Sequence, residues 1–475
     1  MAVWNKNNLG FYLPVVLNNR RKFYVDATSG NDSNTGKQAG AAWQTIAAVN
    51  AYADFIMGDR VLFKRGETWN ERLLPPKSGL LFADYGAGAL PIIDGQDTRD
   101  CIDVNHQSGL VFQNLDLRHG LDYGVLVSGV HDIGIIGCTV HGCGNDNILI
   151  SDDCYNVRIT NCTSYEPYER VAGPVISCLE IADDCYNVVV DGCTLYGSAA
   201  VGLAIHAHDL ETVPWDVHIL NTTIRNNTTF GLQVLRIDGA INHATLAGIE
   251  IKNCTIRDNT SRGINVSKSG TATAYPSNVT IDSCVVRDNT ASSTYQIEIH
   301  GSGHTLIRSL VSGITYRAAG FAHVQSLTVQ NNTFYVQGGS AYVGVVVFTD
   351  SSNNGVNFRN NIIAAALTTI LCIQVQTNAG TNFVYNYNLF YTPSGASANR
   401  WSWNGGANTT WANWKSQSSQ DANSPAPANP NFTDAANDDF TLQAGSPAID
   451  AGTVITGVTD GYLGAAPDCG AYEKA

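Results

Sequence analysis

Ile249-Glu-Ile-Lys-Asn-Cys-Thr255 decides how this chain is read, because the stretch recurs. Earlier copies are Gly134-Ile-Ile-Gly-Cys-Thr-Val140, Val157-Arg-Ile-Thr-Asn-Cys-Thr163, Val188-Val-Val-Asp-Gly-Cys-Thr194 and Val217-His-Ile-Leu-Asn-Thr-Thr223. Later ones are Val279-Thr-Ile-Asp-Ser-Cys-Val285, Leu327-Thr-Val-Gln-Asn-Asn-Thr333 and Val356-Asn-Phe-Arg-Asn-Asn-Ile362. The column at positions 138, 162, 193, 222, 254 and 284 advances by 24, 31, 29, 32 and 30 residues. A second motif falls between the copies: Gly124-Val-Leu-Val127, Asn147-Ile-Leu-Ile150, Leu179-Glu-Ile181, Gly202-Leu-Ala-Ile205, Gly231-Leu-Gln-Val234, Gly263-Ile-Asn-Val266 and Gln296-Ile-Glu-Ile299.

Short alternating strands joined by Asn/Gly turns, two or three per repeat, describe one coil of a parallel β-helix. One coil cannot bury its inner face alone, so successive coils must stack. Parallel crossovers are right-handed almost without exception. The expected fold is therefore all-β, a right-handed parallel β-helix of about ten coils. Its core spans 101–391, after an extension (1–22) and a cap with entry coils (23–100), and before a capping segment (392–475). The cysteine column predicts buried, reduced thiols, since Cys is among the most buried residues and no Cys-x-x-Cys occurs. Disulfides between neighbouring coils, such as Cys154–Cys185, are the alternative.

The 475 residues are 44% hydrophobic and only 14% charged, with 45 Gly, which argues against helix bundles and coiled coils. A net charge of −14 disfavours nucleic acid as a partner, because phosphate needs a basic surface. No apolar run is long enough to span a bilayer as a helix, so no membrane partner is expected. Met1–Asn8 is polar and the apolar stretch Phe11–Leu17 is short and holds Pro14, so no leader pattern is legible.

The ends carry a resemblance. Residues 23–46 (FYVDATSGNDSNTGKQAGAAWQTI), 58–69 (GDRVLFKRGETW) and 83–95 (ADYGAGALPIIDG) resemble the N-terminal part of bacterial and phage right-handed β-helix proteins of the pectate-lyase-like superfamily. Asn429-Pro-Asn-Phe432, 438–452 (DDFTLQAGSPAIDAG) and 467–473 (PDCGAYE) resemble their terminal coil. The resemblance covers roughly residues 23–475 and implies the fold more strongly than any activity. Trp401, Trp403, Trp411 and Trp414 read as packing residues of the cap rather than a sugar platform.

Outward residues on one sheet of such a solenoid make a linear groove suited to a polysaccharide. Counting each Gly-equivalent as zero, position two holds Leu126, Leu149, Glu180, Ala204, Gln233, Asn265 and Glu298. Position four holds Ser128, Ser151, Ala182, His206, Leu235, Ser267 and His300, and position five includes Asp183, Arg236 and Lys268. Alternation is expected to turn this set outward, with Arg262 beside it. Arg236, Arg262, Lys268 and His300 gather cations on neighbouring coils of an acidic chain, which suits a polyanion and predicts a bound anion there. β-Elimination or epimerisation of a uronic acid needs a cation for the enolate, a base for H5 and an acid for the leaving oxygen. Lys268 or His300 could be base or acid, and Arg236 or Arg262 the cation. His206 completes the candidate catalytic set, while Glu180, Asp183, Gln233, Asn265 and Glu298 are expected to hold substrate.

The family comparison is partial. Ile264-Asn-Val-Ser-Lys-Ser269 resembles the strand carrying the catalytic lysine of alginate- and chondroitin-type lyases. One coil later this chain has His300-Gly301 without the preceding Arg, and it lacks that family's Glu-x-Glu Ca²⁺ ligands. Ser261-Arg262-Gly-Ile-Asn-Val266 resembles a strand of mannuronan C5-epimerases. His206 falls where their Asp-Pro-His has its His, but Ala204 replaces the Asp. A hydrolase is the alternative: Asp152-Asp153 and Asp183-Asp184 resemble the paired aspartates of polygalacturonases, and Glu180, His206, His208 and Asp209 lie near. Both pairs follow their strands, where Asp commonly makes turns. A third reading is a phage tailspike or other glycan-binding β-helix, monomeric or trimeric, at a virion surface or outside the cell. The sequence names no cofactor outright; Ca²⁺ is left open, at Glu298 and Asn265, which could instead hydrogen-bond the sugar, and at Asp26 and Asp32-Ser-Asn-Thr-Gly36, which also read as Asx turns.

Overall fold

A computed structural model describes residues 21–474 except 105, 169, 171–175, 208–215, 237–247, 271–273, 290–294, 314–316, 339–343, 350–351 and 377–381. The chain forms two units, Met1–Thr228 and Thr229–Ala475. Each is a parallel solenoid in which three short strands per coil feed three sheets.

In the first unit, strands such as His131–Ile136, Tyr155–Thr160 and Tyr186–Asp191 build the first sheet, and Thr139–His141, Thr163–Tyr165 and Thr194–Tyr196 the second. Val125–Ser128, Ile148–Ser151, Ser177–Ala182 and Val201–Ala207 build the third. Period-two alternation puts every second residue inside. Registered columns result, Ile133–Val157–Val188–Val217 in the first sheet and Val125–Ile148–Leu179–Leu203 in the third, all fully buried. Each such side chain contributes about 1.5–3 kcal/mol on burial.

The repeat motif is the corner between first and second sheets. The residue before the column is left-handed in every copy quoted from this unit: Gly137 (φ 61°), Asn161 (53°), Gly192 (67°) and Asn221 (49°). Gly and Asn tolerate that conformation, which is why they alternate there. The next residue turns inward. Cys162 Sγ donates to the carbonyls of Thr160 and, one coil back, Ile135, both at 3.4 Å.

The second unit repeats the plan with Ile249–Lys252, Val279–Asp282 and Thr305–Ile307 in its first sheet and Leu232–Arg236, Ile264–Lys268, Tyr295–Ser302 and Arg317–Gln325 in its third. Here the column changes from Cys254 and Cys284 to Asn332, Asn361 and Asn388. Asn361 Oδ1 accepts from Asn332 N (2.9 Å), and Asn361 Nδ2 donates to Val329 O (2.9 Å) and Asn388 Oδ1 (3.1 Å). An amide thus performs the thiol's task with stronger bonds. The helix Trp411–Ser418 and the antiparallel pair Phe432–Asp434 and Asp439–Leu442 follow the last coils. Trp401 and Trp414 are fully buried, and Trp414 Nε1 donates to buried Asp421 (3.0 Å). Trp411 packs on Phe390, and Trp403 meets Trp414 edge-on, so all four tryptophans pack as expected.

All twelve cysteines are buried and none forms a disulfide. Burial pushes the thiols of Cys178, Cys284, Cys372 and Cys469 up, which removes the reactive thiolate. Thiol titration is expected to label almost nothing in the native protein and all twelve after denaturation; fast native labelling would contradict the buried column. Asn361→Leu should cost about 2–4 kcal/mol in urea unfolding, because it leaves the buried Asn332 N–H without an acceptor.

Candidate functional site

The outward residues of the third sheet are described unit by unit. In the first, Leu149 pairs with Glu180 and Glu180 with Ala204, while Ala182 pairs with His206. Glu180 Oε1 lies 2.9 Å from His206 Nδ1, and the imidazole is only 1% exposed. Asp183 does not join them at the strand face. It stands with Asp184 in a left-handed turn (φ 50° and 54°), and its carbonyl accepts Asp153 N at 3.0 Å. Asp152 and Asp153 adopt the same turn one coil earlier (φ 58° and 61°). Both Asp pairs are therefore turn residues, chosen because short polar side chains tolerate this backbone. His208 and Asp209 lie outside the described residues.

In the second unit, Gln233 pairs with Asn265 and Asn265 with Glu298, as the alternation predicts. Asn265 Nδ2 donates to Ser267 Oγ (2.8 Å), so positions two and four share a face. Arg236 is the register partner of Lys268; its side chain lies outside what is described. Glu298 is the centre. Its Oε1 is 3.1 Å from His300 Nε2, and its Oε2 is 2.5 Å from Arg262 Nε, an ion pair too bent to be a hydrogen bond. Burial would raise the Glu298 carboxyl, but the His300 hydrogen bond and the charges of Arg262, His300 and Arg317 outweigh it and hold the group below its usual range. Of the cations expected to meet an anion, Arg262 and His300 have Glu298 between them.

Lys268 ends its strand, where alternation no longer sets direction; it is half-buried and its Nζ sits 5.0 Å over the Tyr275 ring. Tyr275 also stacks on His323 (5.0 Å) and meets His300 (5.5 Å). Tyr295, three residues before Glu298 on the same strand, accepts from Arg317 Nη1 (2.9 Å). Sequence reasoning missed these four. Tyr275 follows a loop without repeat register, whereas Arg317 and His323 were within reach of one more coil of alignment.

The His300 corner is held by backbone geometry. Gly301 has φ 120°, and a Cβ there would meet Pro276 O at 2.1 Å. Buried His304 takes Val279 N–H on Nδ1 (3.1 Å), so its Nε2 carries the proton and donates to His300 O (3.1 Å). Burial lowers its pKa to about 4, which keeps it neutral in that role.

No group of three His, Cys, Asp or Glu among the described residues is arranged to hold a metal ion. Asp32 accepts Gln44 N, Thr45 N and Thr45 Oγ1, tying its loop to the start of a helix, and Asp26 accepts Thr28 N, Ser29 N and Lys64 Nζ, as a turn and ion-pair residue. Among the described residues no helix is long and apolar enough to cross a membrane.

The model of the right-handed β-helix region matches residues 100–274 and 239–413, which together exceed half of the chain. The chain belongs to that family, and the expected right-handed parallel β-helix is borne out. No curated protein matches the sequence. Among solved structures, a rhamnogalacturonan lyase is similar at 16% identity over 66% of this chain and 87% of that one, with a TM-score of 0.53. A lacto-N-biosidase from Eubacterium ramulus is 14% identical over 78% of this chain with a TM-score of 0.43, and this chain spans 64% of its length. The A-module of a mannuronan C-5 epimerase from Azotobacter vinelandii is 12% identical over 76% of this chain and 93% of that one, with a TM-score of 0.48. At these identities the likeness is one of fold.

Glu298→Gln tests the centre. A lowered carboxyl pKa stabilises the fold above the ordinary glutamate value of about 4.3, and this is lost as pH falls through the folded value. The variant should be about 1–3 kcal/mol less stable at pH 7, with the gap closing below about pH 4. A gap that is constant with pH would show that Glu298 is not held ionised by its neighbours.

Proposed function

We propose that the chain acts on an acidic, uronate-containing polysaccharide, by β-elimination or epimerisation, at the third sheet of its second unit. The observation that carries the reading is Glu298 bridging Arg262 and His300 on an outward face shared with Asn265 and Gln233.

The chemistry follows from the donors. When Glu298 accepts the Nε2 proton of neutral His300, the lone pair of that imidazole is left on Nδ1, the state a general base needs. Arg262 engages Glu298 through Nε, and its terminal nitrogens form the edge that pairs with a sugar carboxylate. That pairing stabilises the enolate when H5 leaves. His300 Nδ1 takes the proton from C5, the C4–O4 bond breaks, C4=C5 forms, and the Lys268 ammonium gives its proton to O4. In epimerisation C4–O4 stays intact and C5 regains a proton from the opposite face. Asn265 and Gln233 supply amides for sugar hydroxyls.

We extend the proposal to a protein outside the cell or on a virion, as a monomer or homotrimer, which light scattering distinguishes. The test of activity is a panel of uronate polymers, with unsaturated product followed by ultraviolet absorbance and reducing ends measured in parallel. Lys268→Ala and His300→Ala should each lower turnover about 10²–10⁴-fold, with thermal unfolding nearly unchanged in Lys268→Ala. Full activity in both variants would overturn the reading. Reducing ends without unsaturation would favour a hydrolase, and binding without turnover a glycan-gripping protein of tailspike kind.

A further inference from the structure

The first unit holds a cleft on the outside of its first sheet, built on the strands Lys22–Val25, Arg60–Lys64, Leu81–Tyr85 and Val111–Gln113. Phe23, Val25, Val61 and Phe63 are fully buried, so alternation turns Lys22, Tyr24, Arg60 and Leu62 to the other face. Register sets Lys22 opposite Arg60 and Arg60 opposite Leu81; beside them Tyr24 stands opposite Leu62 and Leu62 opposite Ala83. Tyr85 closes one side, its ring edge-on to Tyr24 with centroids 5.1 Å apart. The cleft that these residues line with Gln113 and Asp84 measures about 510 Å³, which is the size of a small-molecule site.

Its charges do not balance. Lys22 and Arg60 are one strand spacing apart, and neither has a carboxylate partner among the described residues. Arg60 Nε is shut off from solvent and makes no hydrogen bond there. The Nε atoms of Arg158 and Arg262 are in the same state, but Asp191 lies 3.9 Å from the Arg158 guanidinium and Glu298 2.5 Å from that of Arg262. The one acid lining the cleft, Asp84, is engaged elsewhere: Arg65 Nε lies 2.5 Å from its Oδ2, and Asn114 Nδ2 donates to its Oδ1 at 2.9 Å. Two adjacent like charges, one of them partly desolvated, are stabilised by an anion shared between them. We propose that the cleft binds the carboxylate of an acidic sugar. The carboxylate lies on the terminal nitrogens of Arg60, with the Lys22 ammonium beside it. The C–H face of the ring rests on Leu62 and Ala83 against the tyrosine wall, and the Gln113 amide serves a hydroxyl. A bare oxyanion would use the two cations and leave this apolar floor and aromatic wall uncovered. The need for an oxyanion stands on Lys22 and Arg60; that its bearer is a uronate rests on the function proposed above.

The test is calorimetric titration of the whole chain with trigalacturonate, carried out in Arg262→Gln so that the groove of the second unit has lost its carboxylate partner. Adding Arg60→Gln should weaken the remaining binding about ten- to a hundredfold, and adding Lys22→Gln should weaken it less, because Lys22 is exposed. Binding should fall as salt is raised. Galactotriose and inorganic phosphate should each bind more weakly than trigalacturonate. No binding, or an affinity that Arg60→Gln leaves unchanged, overturns the cleft. Equal affinity for galactotriose overturns the oxyanion, and equal affinity for phosphate overturns the sugar. A wild-type crystal soaked with trigalacturonate decides the same point without a variant: a carboxylate on Arg60 is expected, and an empty cleft at saturation contradicts the proposal. Calorimetry needs no turnover, so a chain that binds here and leaves every uronate polymer unchanged would lose the proposed reaction and keep the cleft.

Discussion

Everything in this molecule depends on one constraint: an inward aliphatic side chain has no neighbour within its own coil that can cover it. Val157 is buried because Ile133 lies under it and Val188 over it, in strict register. The same stacking sets neighbouring strands about 4.8 Å apart. Corners must then have constant length, which a left-handed residue before the column provides, Gly or Asn in most coils and Ser283 or Tyr387 in others. Once the inner face is pinned, the outer face is pinned too, and residues far apart in sequence become neighbours without cost in specificity.

The consequence for chemistry is that polar groups on the third sheet meet in pairs that the sheet itself arranges. Two solutions to the same problem appear, one in each unit. In the second, Glu298 is half-buried beside Arg262 and His300, and cations keep it charged. In the first, Glu180 is buried beside His206, with its Oε1 2.9 Å from the imidazole Nδ1.

The sequence made the fold legible because its corners repeat and its strands alternate; the column from Cys138 to Cys284 needed nothing else. The register pairs Gln233–Asn265 and Asn265–Glu298 were legible for the same reason. What was not legible depends on side-chain reach. Glu298 lies two positions from His300, and nothing in the spacing says that it turns between His300 and Arg262 rather than toward solvent. Lys268 falls at a strand end, where alternation stops deciding direction.

The most direct measurement is a crystal structure of the chain soaked with an oligouronate and with His300→Ala used to prevent turnover. The account predicts a sugar carboxylate on the terminal nitrogens of Arg262, its ring lying over Asn265 and its C5 facing the space left by the imidazole. A sugar bound to another sheet of the second unit, or an oligouronate that leaves Arg262 and Glu298 paired and unoccupied at saturation, would contradict it.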